Sequence, residues 1–247
     1  MNKRLVVSVA FVIIVIVVIV SFTSYQANLM DMQNKAMEQF IKSQQKAQLE
    51  FENGSPILGS ESAPVTIVEF GDYQCEACYA WFHNTWDTLI DNYIETGKAK
   101  LIFVDLPFLG RDSPKAAHAS YCAEDQEKYW EYHTILYTFQ DGHPDSGWAD
   151  RDRLNSFAFS LDMNMDEFNE CMDSSKYKQR VKANYDDAVK NGVTQTPTFI
   201  LVSSDGKTKK LGGAQPYSVF AATIESMLWI EQKPFTLFEW VTLKTRF

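Results

Sequence analysis

The hydrophobic pattern changes character three times along the chain. Leu5–Phe22 contains no charged residue and is dominated by Val and Ile, 24–52 is polar with apolar residues at roughly helical spacing, and from Ser55 short apolar runs alternate with amphipathic stretches. At 1.5 Å per helical residue the first run reaches roughly 27 Å, close to the apolar thickness of a bilayer. Lys3 and Arg4 precede it and the next charge is Asp31, so the N-terminus is expected to stay cytoplasmic and the body to be exported. A cleaved signal peptide is the alternative, but its apolar core usually runs about 7–15 residues and ends at a small-x-small site. Here bulky Tyr25 stands two places before Ala27, and no Cys follows directly that would carry a lipid. The organisation expected is therefore a flank and uncleaved anchor over 1–23, a stalk over 24–54 and a body over 55–247.

In the stalk, Met30, Met37, Phe40, Ile41 and Ala47 recur at helical spacing, and packing against the protein's own body is the simplest use of such a stripe. Asn53-Gly54-Ser55 is a glycosylation sequon that chance alone often produces. In the body, Val65–Phe70 is β-branched and aromatic and predicts a strand, which Gly71-Asp72 ends. Tyr79, Phe82, Trp86, Leu89, Ile90 and Tyr93 predict a helix that begins at or next to Cys75. Lys100–Asp105 predicts a second strand, ended by Pro107 and Gly110, which completes a β-α-β unit.

Residues from Ser113 to about Asn191 have a helical pattern throughout, with breaks at 142–146 and 163–165. Strands return at Thr198–Val202 and Lys209–Leu211 around a Ser204-Asp205-Gly206 turn, and Pro216 opens a last helix to about Ile230. The fold class is α/β: a β-α-β half, a helical insertion at about 113–191, and a β-β-α half. Phe235, Phe238, Trp240 and Phe247 in the tail are expected to pack back onto the body.

Composition narrows the function without naming it. With 45% hydrophobic residues the chain is not disordered, and 23 Lys plus Arg against 32 Asp plus Glu give a net charge of −9. An acidic chain lacks the basic face that nucleic acid requires, so no nucleic-acid partner is expected. The four cysteines are too few to staple a small scaffold, so their placement carries the information.

Cys75 and Cys78 stand three positions apart at a helix start, on one face and close enough to be joined. Free amides and the positive end of the helix dipole favour a thiolate at Cys75, the expected exposed nucleophile, with Cys78 as the resolving thiol. Zinc would need four ligands, and the nearest additional pair is His118 with Cys122; haem attachment would need His where Tyr79 stands. An inert bridge is the remaining alternative. Thr196-Pro197 precedes the strand at 198–202; a cis bond there would turn the Thr196 backbone toward an extended substrate, although most X-Pro bonds are trans. Glu69 lies on the strand leading to the cysteines: buried, it would exchange a proton with Cys78, and exposed it would be an ordinary surface carboxylate. His83 and His133 are expected to be surface or packing residues.

Three segments in this order resemble the DsbA-like thiol-disulfide oxidoreductases of the thioredoxin superfamily, particularly their membrane-anchored exported group: VEFGDYQCEAC at Val68–Cys78, the stretch from Ser113 through AAHASYCAEDQEKYWEYH to His133, and GVTQTPTFILV at Gly192–Val202. The resemblance covers about Ser55–Ile230. It implies a thioredoxin fold with a helical insertion, Cys75 as attacking sulfur, Cys78 as resolving sulfur, Pro197 as a cis-proline facing them, Thr196 and Pro197 as substrate-binding backbone, and Glu69 as a buried proton-transfer acid. It also implies that Cys122 and Cys171 form a second, structural disulfide, two buried free thiols being the alternative. Strong oxidases of the family often carry Pro-His between the cysteines, whereas this chain has Glu76-Ala77; a carboxylate beside Cys75 is expected to raise its pKa and weaken oxidation. The activity implied is dithiol oxidation of exported proteins, with reoxidation by a quinone-linked membrane partner and no metal or organic cofactor. A reductase or isomerase using the same residues, or a redox-inactive client-binding module, is the alternative.

Overall fold

The structure, a computed structural model, describes residues 3–231, without the side chains of 3–15, 40–50 and 229–231. The chain divides into two compact units, 1–46 and 47–247. Helix α1, Lys3–Glu50, accounts for the first. Met30 and Met37 are exposed on it; Phe40, Ile41 and Ala47 lie outside the described side chains, and the aromatic tail after Glu231 lies outside the described residues. Among the described residues no helix is long and apolar enough to cross a membrane. The expected anchor, Leu5–Phe22, falls largely on side chains outside that set.

The second unit is built on a four-stranded sheet in the order β2-β1-β3-β4, with β1 at Val65–Gly71, β2 at Ala99–Asp105, β3 at Thr198–Ser203 and β4 at Thr208–Gly212. β1 and β2 are parallel, Val65 facing Ala99, while β3 runs antiparallel to both β1 and β4. Joining β1 to β2 is α2, an interrupted helix over 76–94 in which π-helical turns at Phe82–Trp86 and Ile90–Ile94 break the regular α-helical turns. Every residue of β1 and β2 is buried, which is why both read as nearly continuous apolar runs. Alternation along the strands sends Val65, Ile67, Leu101, Phe103, Phe199 and Leu201 into one core and Val68, Phe70, Ile102 and Val104 into another. Edge strand β4 is largely exposed and carries Lys209 and Lys210, a charged edge that discourages pairing with another chain.

The insertion is five helices: α3 Ser113–Glu124, α4 Tyr129–Thr138, α5 Arg151–Ser160, α6 Met165–Ser174 and α7 Lys178–Lys190. Side-chain caps start two of them, Asp150 bonding the Arg153 amide and Asn164 those of Asp166 and Glu167. The last helix among the described residues, α8, is Tyr217–Glu231. Residues before β1 seal the outer side of β2: Leu58 bridges Leu101, and the Ser55 hydroxyl accepts from the Phe103 amide at 2.9 Å, so the serine of the sequon is buried in the fold.

Candidate active site

Gly71, the last residue of β1, leaves room for its neighbours, because a Cβ there would lie 2.4 Å from the Phe103 ring and 2.9 Å from the Tyr137 hydroxyl. The next residue, Asp72, organises the turn. Its carboxylate accepts from the amides of Gln74 at 2.8 Å, Phe108 at 2.9 Å and Leu109 at 3.0 Å, and its carbonyl accepts from the Cys75 amide at 2.9 Å. Cys75 is then the N-cap of α2, with extended φ −80° and ψ 117°, and its sulfur accepts from the Cys78 amide at 3.4 Å. A thiol thus occupies the place where Ser or Asp usually satisfies a free helix amide.

From the far end of the sequence, the Thr196 carbonyl lies 3.4 Å from Cys75 Sγ, and the Thr196-Pro197 peptide bond is cis. The Gly213 amide donates to the Pro197 carbonyl at 2.8 Å, fixing this loop beside the helix start. Cys75 is only 6% exposed, so the open nucleophile expected from the sequence is instead a narrowly accessible one. Cys78 is fully buried, and both thiols are free.

Their environments drive the two sulfurs apart. The hydrogen bond from the Cys78 thiol is the largest influence on Cys75; with help from the Thr196 side chain and the Cys78 and Ala77 amides it outweighs burial and brings Cys75 down to about 6. Burial, then the hydrogen bond with Cys75 and the charges of Cys75 and Glu69, pushes Cys78 well up. Glu69 shares the strand face of Val65 and Ile67, is 1% exposed, and its carboxyl oxygens have no hydrogen-bond partner among the described residues. Burial first, and the charge of Cys75 second, hold its carboxyl well above the ordinary range. At neutral pH the site therefore holds a thiolate at Cys75 and a thiol at Cys78, next to a carboxyl whose charged form is disfavoured by burial.

The direction at Cys75 is opposite to the one expected from Glu76. That side chain is exposed, where water screens it, whereas the groups that lower Cys75 are short-range donors at the helix start. Ala77 acts on the sulfur through its amide, a contribution independent of side-chain identity.

Cys122 on α3 and Cys171 on α6 are joined in a disulfide, with Cα atoms 5.7 Å apart. His118, one turn before Cys122, puts a ring nitrogen within 4.8 Å of both sulfurs, but those sulfurs are bonded to each other. His133 is fully buried, with Nδ1 2.9 Å from the Tyr73 hydroxyl, and burial brings it down to about 3, so it packs as a neutral ring. His83 is exposed. A surface groove of about 540 Å³ contains His118 among its lining residues but none of Cys75, Cys78, Glu69 or Pro197.

Sequence reasoning missed the polar side chains that hold the cysteine turn. Gln74 donates to the Ser113 hydroxyl at 2.8 Å and accepts from the Asp145 amide at 2.6 Å. Gln140, just past α4, donates to the carbonyls of Tyr73 and Cys75. A lone glutamine after a helix carries no sequence signal of such a role; only the insertion's return to the turn reveals it.

The comparisons with known proteins agree with this geometry. The thioredoxin family model matches residues 52–225. A curated relative, the probable disulfide bond formation protein D of Bacillus anthracis, is 30% identical over 203 residues, covering 81% of this chain and 88% of the relative. Among solved structures, oxidised BdbD from Bacillus subtilis has a TM-score of 0.64 at 29% identity, covering 72% of this chain and 94% of that one. Wolbachia pipientis alpha-DsbA1 has a TM-score of 0.62 at 26% identity, covering 69% and 89%. A sheet with a helical insertion, a cysteine pair split between thiolate and thiol at a helix start, and these relatives lead to one assignment: the chain belongs to the thioredoxin family and is a DsbA-like thiol-disulfide oxidoreductase.

Proposed function

We propose that this oxidoreductase works as a dithiol oxidase that introduces disulfides into exported proteins, held at the outer face of a membrane by the apolar run at Leu5–Phe22. The observation that carries the direction is the low pKa of Cys75 beside the high pKa of Cys78. A stabilised thiolate favours the reduced enzyme, which makes its disulfide a stronger oxidant, and a low-pKa sulfur is a good leaving group.

In the oxidised enzyme a substrate thiolate attacks Cys75 Sγ; a substrate–Cys75 bond forms and the Cys75–Cys78 bond breaks. Its electron pair goes to Cys78, where burial disfavours the anion, so Cys78 takes a proton, for which Glu69 is the nearby acid. A second substrate thiolate then attacks the substrate sulfur of the mixed disulfide and displaces Cys75 as a thiolate. The substrate dithiol is oxidised and the enzyme disulfide reduced. The Thr196-Pro197 backbone beside Cys75 supports a role in holding an extended substrate strand. The two electrons pass on to a quinone-linked membrane partner, and no metal or organic cofactor takes part. The Cys122–Cys171 bond acts structurally, tying α3 to α6.

The test equilibrates the protein in glutathione buffers and assays oxidation of a reduced dithiol peptide. A Cys75–Cys78 potential well above about −200 mV with rapid peptide oxidation supports the oxidase; a value near that of thioredoxin, about −270 mV, assigns the same site to reduction.

A further inference from the structure

The helical insertion does more than cover the sheet. We propose that Gln140 is a positioning residue that sets the reactivity of Cys75 from outside the C-x-x-C motif. The inference rests on the reading of Cys75 as the reactive thiolate and extends it to a residue that touches neither sulfur.

Gln140 sits in the segment between α4 and α5, close to the cysteine turn although 65 residues later in sequence, and it is 7% exposed. Its side-chain amide donates to two backbone carbonyls on the turn, that of Tyr73 and that of Cys75, the latter at 3.3 Å. Both partners can only accept, which fixes the amide with its nitrogen toward the turn. Within the turn the Tyr79 amide also donates to the Cys75 carbonyl, at 3.0 Å. Gln140 therefore grips the peptide group that joins the N-cap to the first helical residue.

The orientation of that peptide governs where Cys75 Sγ lies relative to the amides that stabilise its anion. The sulfur–amide contact with Cys78 is 3.4 Å, an ordinary length for a sulfur acceptor, and such bonds weaken as they depart from linearity, so a rotation at Cys75 weakens it. Side-chain hydrogen bonds from Gln74 to Ser113 and Asp145 hold the other side of the same turn but end on side chains and loop amides, not on the Cys75 peptide. Gln140 alone among these two glutamines acts on the group that carries the nucleophile.

The experiment follows the pH dependence of Cys75 alkylation in the reduced full chain, for the natural protein and for Gln140→Met, which keeps the length and removes the donors. Gln140→Leu, which likewise has no donor and adds no charge, serves as the second variant should the first fail to fold. The natural protein is expected to give a midpoint of about 6. The variant midpoint is expected to rise by about one unit, which at pH 7 weakens oxidation of a peptide, read against glutathione, about five-fold. Thermal unfolding of the oxidised forms, run in parallel, separates chemistry from stability. A variant that melts earlier but keeps the natural midpoint and potential overturns the inference and leaves Gln140 a purely structural residue. A natural midpoint near that of a free thiol overturns instead the reading of Cys75 on which the inference stands.

Discussion

Cys75 Sγ lies 3.4 Å from the carbonyl oxygen of Thr196, a residue 121 positions away in sequence. The contact joins the start of α2 to the loop before β3, and it confines the sulfur to a narrow opening between them. Small thiol reagents and an extended polypeptide reach such a sulfur edgewise, while the fully buried Cys78 stays out of reach.

The first prediction concerns these two thiols in the reduced protein. Cys75 should be alkylated by iodoacetamide with a midpoint at about 6, against about 8.5 for an ordinary thiol, while Cys78 stays unmodified throughout. Because the folded value is depressed, ionisation stabilises the reduced fold; that contribution is complete above about pH 8.5 and is lost as pH falls through about 6. Mass spectrometry of the modified peptides, and the unfolding free energy of the reduced form at pH 5 and 8, check both parts.

Glu69→Gln should separate proton transfer from stability. The carboxyl is raised by burial, so the stability it permits is fully present below the unfolded value of about 4.3 and is lost as pH rises toward the folded value. Replacing it should stabilise the fold at neutral pH by on the order of 1 kcal/mol and make no difference near pH 4. Disulfide exchange through Cys78 should slow by about tenfold or more for want of the acid. Equal exchange rates in stopped-flow peptide oxidation would remove Glu69 from the chemistry.

Removing the second disulfide with Cys122→Ala and Cys171→Ala should cost about 4 kcal/mol, the chain-entropy estimate for its separation of 49 residues. Denaturant unfolding measures this. The Cys75 alkylation midpoint should stay where it is, because the groups that lower it belong to the helix start and the Thr196 loop.

Asp105, at the end of β2, gives the fold a second pH dependence. It is buried and accepts from the Tyr121 hydroxyl at 2.5 Å and from Asn184 at 3.3 Å, and burial outweighs those bonds to raise it to about 7. Its contribution to stability is present below about pH 3.9 and disappears as pH rises through about 7. Asp105→Asn should therefore lose less stability than the natural protein between pH 5 and 8, a comparison that thermal melts at the two pH values make directly.

The strands, the helix start at Cys75 and the C-x-x-C pair are legible along the chain, because apolar runs, Gly and Pro breaks and cysteine spacing are local signals. The sequence also marked Glu69 as the acid in an otherwise apolar strand, but both burial and exposure were compatible with that position. Packing in three dimensions resolves the choice in favour of burial, since the cost of burying a carboxyl depends on what covers the strand. The same holds for the sign of the shift at Cys75. Glu76, adjacent in sequence, points into water, while the donors that lower the sulfur come from the Cys78 thiol, the helix amides and Thr196 across the fold. Hydrogen bonds act over a few ångströms in space, and sequence adjacency does not measure that distance. Gln140 is the plainest instance: nothing around it in the chain marks it, and its two bonds exist only because the helical insertion returns to the turn where the nucleophile sits.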